Sequence, residues 1–100
     1  MNWKVIVGRV ALRDLEGIRD FIARDDPAAA VSFCGKLLGH AEGLRVFPER
    51  GGHLKERPGA RFSVVGSYLI VYRIDHAAET VRVLRFWHGA RERRHLHRAE

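Results

Sequence analysis

The residues best suited to chemistry lie where an apolar strand runs into a series of arginines, in the stretch RVLRFWHGARERR at residues 82–94. Metal-free phosphodiester cleavage needs cations near the developing negative charge and a base near the attacking hydroxyl. Arg61 and Arg85 could hold the phosphate, and His88 could accept the proton. The competing interpretation is structural: the His88 ring hydrogen-bonds across the turn at Gly89 and fixes the segment that follows.

Basic residues outnumber acidic ones throughout the chain. Lys and Arg total 18 against 12 Asp and Glu, which gives a formal net charge of +6, so we expect the surface to attract anionic partners. One basic group lies in the last strand and after it: Arg82, Arg85, Arg91, Arg93, Arg94 and Arg98. A second lies on or beside a long loop: Arg50, Lys55, Arg57 and Arg61. If the strand starting at Arg61 lies beside the last strand, the two groups share one side and can hold phosphates. Otherwise they are solvated and favour solubility.

Other kinds of site are poorly supported. His95 and His97 are two residues apart without a Cys pair or acidic cluster, so we expect no metal site. Cys34 lies on an apolar helical stripe, where a thiol is normally inert, and a single cysteine forms no internal disulfide. The Gly51-Gly52 pair lacks the lysine of a phosphate-binding loop. We therefore expect neither a metal nor a cofactor.

Two helices are predicted to follow a short first strand at residues 3–7. Apolar residues recur at helical spacing from residue 11 to residue 24, and Asp26 then suits the N-cap of a second helix that ends near Val46. Gly35 and Gly39 lie inside this second helix and predict a close approach of the first. A dimer contact is the alternative explanation for the two glycines.

Three strands are predicted after a long connection at residues 47–60. The runs 61–66 and 68–74 meet at Gly66-Ser67, which is typical of a two-residue hairpin, and a last strand spans 80–87. The expected fold is α+β, with an N-terminal strand, a helical hairpin and a three-stranded antiparallel meander, in one domain at residues 1–100.

Both faces of this meander are apolar. In the strand at 68–74, alternation puts Tyr68, Ile70 and Tyr72 on one face and Leu69 and Val71 on the other. In the last strand, it puts Leu84 and Phe86 on one face and Val83, Arg85 and Trp87 on the other. Two helices can cover only one face. The other face therefore implies a protein partner, a dimer or packing by the C-terminal tail.

The sequence also bears on localisation. No run approaches the roughly 18 apolar residues of a membrane span, and the N-terminus lacks a signal-peptide pattern. We expect a soluble cytoplasmic protein.

One set of residues, spread over nearly the whole chain, resembles a known family. It comprises Ala11, Asp14-Leu15, Ile18, Phe21-Ile22, Asp26-Pro27, Pro48, Gly51, Pro58-Gly59-x-Arg61, Gly66-x-Tyr68-Leu69-x-x-Tyr72 and Val83-Leu84-Arg85-x-x-His88-Gly89-Ala90-Arg91. This pattern looks like the ParE toxins of the RelE/ParE superfamily, which belong to bacterial type II toxin-antitoxin modules. The resemblance extends to the predicted order of elements.

The resemblance implies a protein that acts by binding and is not an enzyme. ParE toxins inhibit DNA gyrase and contribute to plasmid stabilization, and a ParD-like antitoxin neutralises them in a hetero-oligomer. RelE toxins instead cut messenger RNA on the ribosome, with a basic cluster plus a Tyr or a His-Tyr pair near the C-terminus. Here the tyrosines are Tyr68 and Tyr72, and His88 is followed by Gly89, which departs from the RelE pattern.

The resemblance and the faces of the sheet together suggest two contact surfaces and two alternatives. The residues expected to contact gyrase or its DNA are Arg85, His88, Arg91, Arg93 and Arg94. The antitoxin is expected on the helical hairpin and the second sheet face, through Leu69, Val71, Val83 and Trp87. The first alternative is a ribosome-dependent ribonuclease that uses Arg61, Arg85 and His88. The second is a binding module that has lost its toxicity.

Overall fold

The elements follow one another as the sequence predicts. A computed structural model describes residues 3–89, so Arg91, Arg93 and Arg94 lie outside the described residues. The elements are β1 (Lys4–Val7), α1 (Arg9–Ala23), α2 (Pro27–Gly43), a 3-10 turn (Pro48–Arg50), β2 (Gly52–His53), β3 (Arg61–Val65), β4 (Tyr68–Asp75) and β5 (Thr80–His88). The α+β class and the helical hairpin before the antiparallel strands are confirmed.

The sheet has the strand order β1-β5-β4-β3-β2, with β1 parallel to β5. The predicted meander forms, because β3, β4 and β5 pair antiparallel in sequence. The long connection contributes an unpredicted two-residue strand, β2, that pairs with β3. Because each hairpin places a strand beside its predecessor, β4 separates β3 from β5. The adjacency of β3 and β5 that was considered for the two basic groups therefore does not occur.

The helix boundaries differ from the prediction by at most three residues. Asp26 caps α2 as predicted, since its Oδ1 accepts a hydrogen bond from the Ala29 N–H at 3.1 Å. The helix ends at Gly43, before the predicted Val46, and the chain then turns through the left-handed conformation of Phe47, with φ 61°. Within residues 3–89, no helix is long and apolar enough to cross a membrane.

Gly35 and Gly39 do not allow a close approach of α1. A Cβ atom built at either glycine would meet nothing within 4 Å. The explanation by tight packing inside the hairpin is therefore wrong, and both glycines lie on the open side of α2.

Alanine at Gly39 is expected to stabilise the protein. Glycine inside a helix costs about 1 kcal/mol relative to alanine because it loses more backbone freedom on folding. Gly39→Ala should therefore raise the free energy of unfolding by about 1 kcal/mol. Urea denaturation followed by circular dichroism measures the difference. A lower free energy of unfolding would mean that the added methyl group meets an obstacle.

Apolar side chains form two clusters, one on each face of the sheet. The larger cluster packs under the helices and includes Leu37, Leu44, Ile70, Tyr72, Val81 and Phe86. The second-face cluster is Leu54, Ala60, Leu69, Val71 and Trp87. Leu54 and Ala60 come from the long connection, which thus covers the face that the sequence left open. The expectation of an uncovered apolar face is wrong at these residues.

The four residues predicted to contact the antitoxin are all buried. Leu69, Val71, Val83 and Trp87 are 5%, 0%, 0% and 3% exposed. Val83 also lies in the helix-side core, so its predicted face is wrong.

A β-bulge in β5 explains the error about faces. Val71 pairs with Arg85 and Tyr72 with Val83, which leaves Leu84 as an extra residue without its own partner. An extra residue shifts the alternation of everything that follows it. Val83 and Phe86 consequently share the helix-side core, whereas Leu84 packs with the second-face cluster.

Candidate functional site

A partly buried ion pair joins α1 to β5 just beyond the bulge. The Arg85 Nε and Nη2 atoms donate to the two carboxylate oxygens of Asp14 at 2.7 and 3.0 Å. Asp14 Oδ2 also accepts the backbone N–H of Phe86 at 3.0 Å. Although Asp14 is a charged residue of α1, its side chain is only 16% exposed. Arg85 also lies 5.6 Å from the Trp87 ring centroid, so this arginine holds the end of β5 in place.

Arg61 holds the 3-10 turn. Its Nη1 donates to the carbonyl oxygens of Glu49 at 3.1 Å and Gly51 at 2.8 Å. Guanidinium groups are strong donors, and two carbonyl acceptors on one nitrogen fix its position. The side chain proposed to bind phosphate is thus engaged with the main chain of the loop.

Tyr72 holds the same loop from inside the protein. Its hydroxyl donates to the Pro48 carbonyl at 2.7 Å and accepts the Gly51 N–H at 3.1 Å. Burial raises the pKa of Tyr72, and the Gly51 hydrogen bond and nearby arginines only partly offset this. The phenol therefore stays protonated and keeps donating at neutral pH.

Arg61 and His88 lie far apart. Arg61 pairs with Tyr72 across β3 and β4, whereas His88 pairs with Tyr68 across β4 and β5. The two positions are four residues apart along β4, which is roughly 13 Å at about 3.3 Å per residue, and two strand spacings of about 5 Å separate them sideways. The structure therefore does not bring together the constellation proposed for RNA cleavage.

His88 lies at the edge of a cleft between α1 and the end of β5. The cleft measures about 480 Å³, and its lining includes Arg13, Asp20, Arg24 and Tyr68. The His88 ring meets Tyr68 edge-on, with 5.2 Å between ring centroids. The following turn is fixed by a backbone bond in which the Gly89 N–H donates to the Ser67 carbonyl at 2.8 Å. His88 is thus held at the exit of β5.

A second cleft brings three arginines together from separate segments. It measures about 350 Å³, and Arg9 of α1, Arg57 of the long connection and Arg85 of β5 line it. We call it the three-arginine cleft. Sequence reasoning missed Arg9, although Gly8 at the N-cap offers α1 no side-chain cap and the first turn carries no acidic residue.

Metal-ligating and nucleophilic side chains are sparse. Among residues 3–89, no group of three or more His, Cys, Asp or Glu could hold a metal ion. His95 and His97 lie outside the described residues. Cys34 is buried, and this burial raises the pKa of its thiol, an effect that Arg19 partly opposes.

Sequence comparison supplies the family. The family described as "ParE toxin of type II toxin-antitoxin system, parDE" matches residues 5–93. The chain belongs to the ParE toxin family. It is therefore a toxin of the type II toxin-antitoxin class, as the resemblance implied. The match starts inside β1 and includes both helices and the other strands of the sheet.

Individual relatives of this ParE-family toxin carry both ParE and RelE names. Toxin RelE2 of Caulobacter vibrioides is 37% identical over 81 residues, or 81% of this chain and 89% of that protein. A chain of the chromosomal ParDE system from P. aeruginosa shares the fold, with a TM-score of 0.74 at 20% identity over 86% of this chain and 95% of that one. A chain of the RelBE2 toxin-antitoxin complex from Mycobacterium tuberculosis gives a TM-score of 0.59 at 31% identity, covering 88% and 99%.

Proposed function

We propose that this ParE-family toxin inhibits DNA gyrase by binding it and that a ParD-like antitoxin neutralises the toxin. The observation that carries this proposal is the engagement of the two arginines that a nuclease would need. Arg85 is paired with Asp14. Arg61 lies on another part of the sheet and donates to the carbonyl groups of Glu49 and Gly51. Inhibition by binding does not require a base and phosphate-binding arginines to lie together in one site. It therefore agrees better with this geometry than RNA cleavage does.

The proposed gyrase-binding surface is the exit of β5 and the residues that follow it. The Asp14–Arg85 pair and the Gly89–Ser67 bond fix where the chain leaves the sheet. His88 lies at this exit, and Arg91, Arg93 and Arg94 follow it in the sequence. Clustered cations favour encounter with DNA-bound or acidic partners. These arginines contact gyrase or the DNA that gyrase holds.

The proposed antitoxin contact is the outer groove of the helical hairpin. The solved relative from Mycobacterium tuberculosis is a toxin-antitoxin complex, which supports an antitoxin partner for this chain. Because the four sheet residues assigned to this contact are buried, the hairpin is the better candidate. Leu12, Val31 and Leu38 are 47%, 71% and 39% exposed and line an apolar groove of about 420 Å³.

A RelE-like ribonuclease is the second candidate, because the curated relative at 37% identity is named Toxin RelE2. Two parallel assays with the purified full chain separate the candidates. One follows DNA supercoiling by gyrase, and the other follows messenger RNA on translating ribosomes. We expect loss of supercoiling with intact RNA. Cut RNA with unaffected gyrase would reject the proposal and make His88 the first residue to replace.

Replacing Arg91, Arg93 and Arg94 by glutamine is expected to weaken gyrase inhibition by roughly tenfold or more, because three charges leave the proposed contact. The inhibitor concentration at half-maximal supercoiling measures the effect. The matched control replaces three exposed cations of the helices and the turn after them: Arg19, Lys36 and Arg45. Inhibition reduced equally by both triple variants would attribute the effect to net charge and not to the proposed contact.

A further inference from the structure

The three-arginine cleft joins segments that are distant in sequence. Arg9 begins α1, Arg57 belongs to the long connection, and Arg85 lies just after the bulge in β5. The rest of its lining is Gly8, Val10, Val83 and Leu84. No acidic side chain is among the described residues that line it. The fold thus gathers positive charge in a concave place, where low-dielectric walls concentrate the field.

We propose that the three-arginine cleft binds the phosphodiester backbone of a nucleic acid. Arg9 and Arg57 are exposed and supply the direct contacts. Arg85 lies behind them, where its bonds to Asp14 offset its charge and hold the back of the cleft in place. The inference holds for either candidate target, because the DNA that gyrase holds and the RNA of the ribosome both present a phosphodiester backbone.

The chemistry of the cleft favours phosphate over carboxylate. The two exposed cations, Arg9 and Arg57, are arginines, whose planar fork matches the paired oxygens of a phosphate and is weakly hydrated. The first turn of α1 adds backbone N–H groups that have no partner within the helix, and no side chain caps them. Partial positive charge at a helix start favours a phosphate that guanidinium groups already attract. The net charge of +6 brings a polyanion to the surface.

Fluorescence anisotropy of a labelled short DNA duplex tests the inference with the full-length toxin. Arg9→Gln and Arg57→Gln should each weaken binding roughly fivefold to tenfold near 0.1 M salt. Each should also lower the slope of log affinity against log salt by about 0.9, which is the contribution of one phosphate contact. The double variant should lose about twice that slope.

Arg45→Gln is the matched control. Arg45 is exposed and pairs locally with Glu42, and its replacement removes the same charge. An equal loss of affinity in this control would overturn the inference, because net charge alone would then explain the binding. A polyglutamate competitor that displaces the duplex as well as unlabelled DNA of equal charge would also overturn it. A single-stranded RNA probe of equal charge tells which nucleic acid binds more tightly. A chain that inhibits gyrase normally but binds neither probe overturns this inference alone.

Discussion

Replacing Asp14 by alanine is expected to lower the free energy of unfolding by about 3 kcal/mol. The change removes the carboxylate that accepts two hydrogen bonds from the Arg85 guanidinium. It also removes the carboxylate oxygen that accepts the Phe86 N–H in the unsubstituted protein. Loss of one partner from a partly buried pair costs more than the pair itself contributes, since the remaining charge stays poorly hydrated. Urea denaturation measures the loss.

Asp20→Ala is the control on the same helix. Asp20 pairs with Arg19 at 3.4 Å, and its side chain is 72% exposed, so its removal should change stability by less than about 1 kcal/mol. A double-mutant cycle with Arg85→Met then isolates the coupling between Asp14 and Arg85. Equal losses for Asp14→Ala and Asp20→Ala would show that the pair contributes no more than an ordinary surface contact.

Replacing Gly51 by alanine is expected to destabilise the protein by about 3 kcal/mol or more. A Cβ atom there would lie 2.2 Å from the Tyr72 hydroxyl and 2.6 Å from the Phe62 carbonyl oxygen. The phenol oxygen cannot retreat without losing its bonds to Pro48 and Gly51. Overpacking and the loss of two hydrogen bonds therefore add together. A urea titration monitored by tryptophan fluorescence measures the effect.

The same substitution at Gly39 should act in the opposite direction, because that Cβ meets open space. Gly51→Ala and Gly39→Ala thus form a matched pair with equal chemistry and opposite expected signs. Tyr72→Phe complements them by removing the hydroxyl while keeping the ring, at a cost of about 1–3 kcal/mol. A wild-type stability for Gly51→Ala would mean that the loop moves away from Tyr72 freely.

Local patterns predicted the elements well. Helical spacing after residue 11 and the Asp26-Pro27 pair located the hairpin, because caps and periodicity act within a few residues. Gly66-Ser67 located the turn between β3 and β4 for the same reason, and Gly66 has the left-handed φ of 59° that the turn needs. The family resemblance then depended on residues that these elements carry.

Long-range relations were beyond sequence reasoning. No local pattern marks Leu84 as an extra residue, so alternation alone put Val83 and Trp87 on one face. The bonds from Arg61 to the loop carbonyls connect residues ten and twelve positions apart, and they have no period to detect. Leu54 and Ala60 looked like ordinary loop residues, although they bury the second face of the sheet. Each of these features depends on how the segments meet in space.

The bonds that hold the long connection have a consequence for how such toxins can diverge. Arg61 and Tyr72 bind it through carbonyl and amide groups of the main chain, at Pro48, Glu49 and Gly51. Main-chain groups are supplied by every residue type, so exposed side chains between residues 52 and 57 can change without loosening the loop, although Gly51 itself has no room for a side chain. Duplicated copies of such a toxin can therefore acquire different loop surfaces while the frame that carries the loop stays the same.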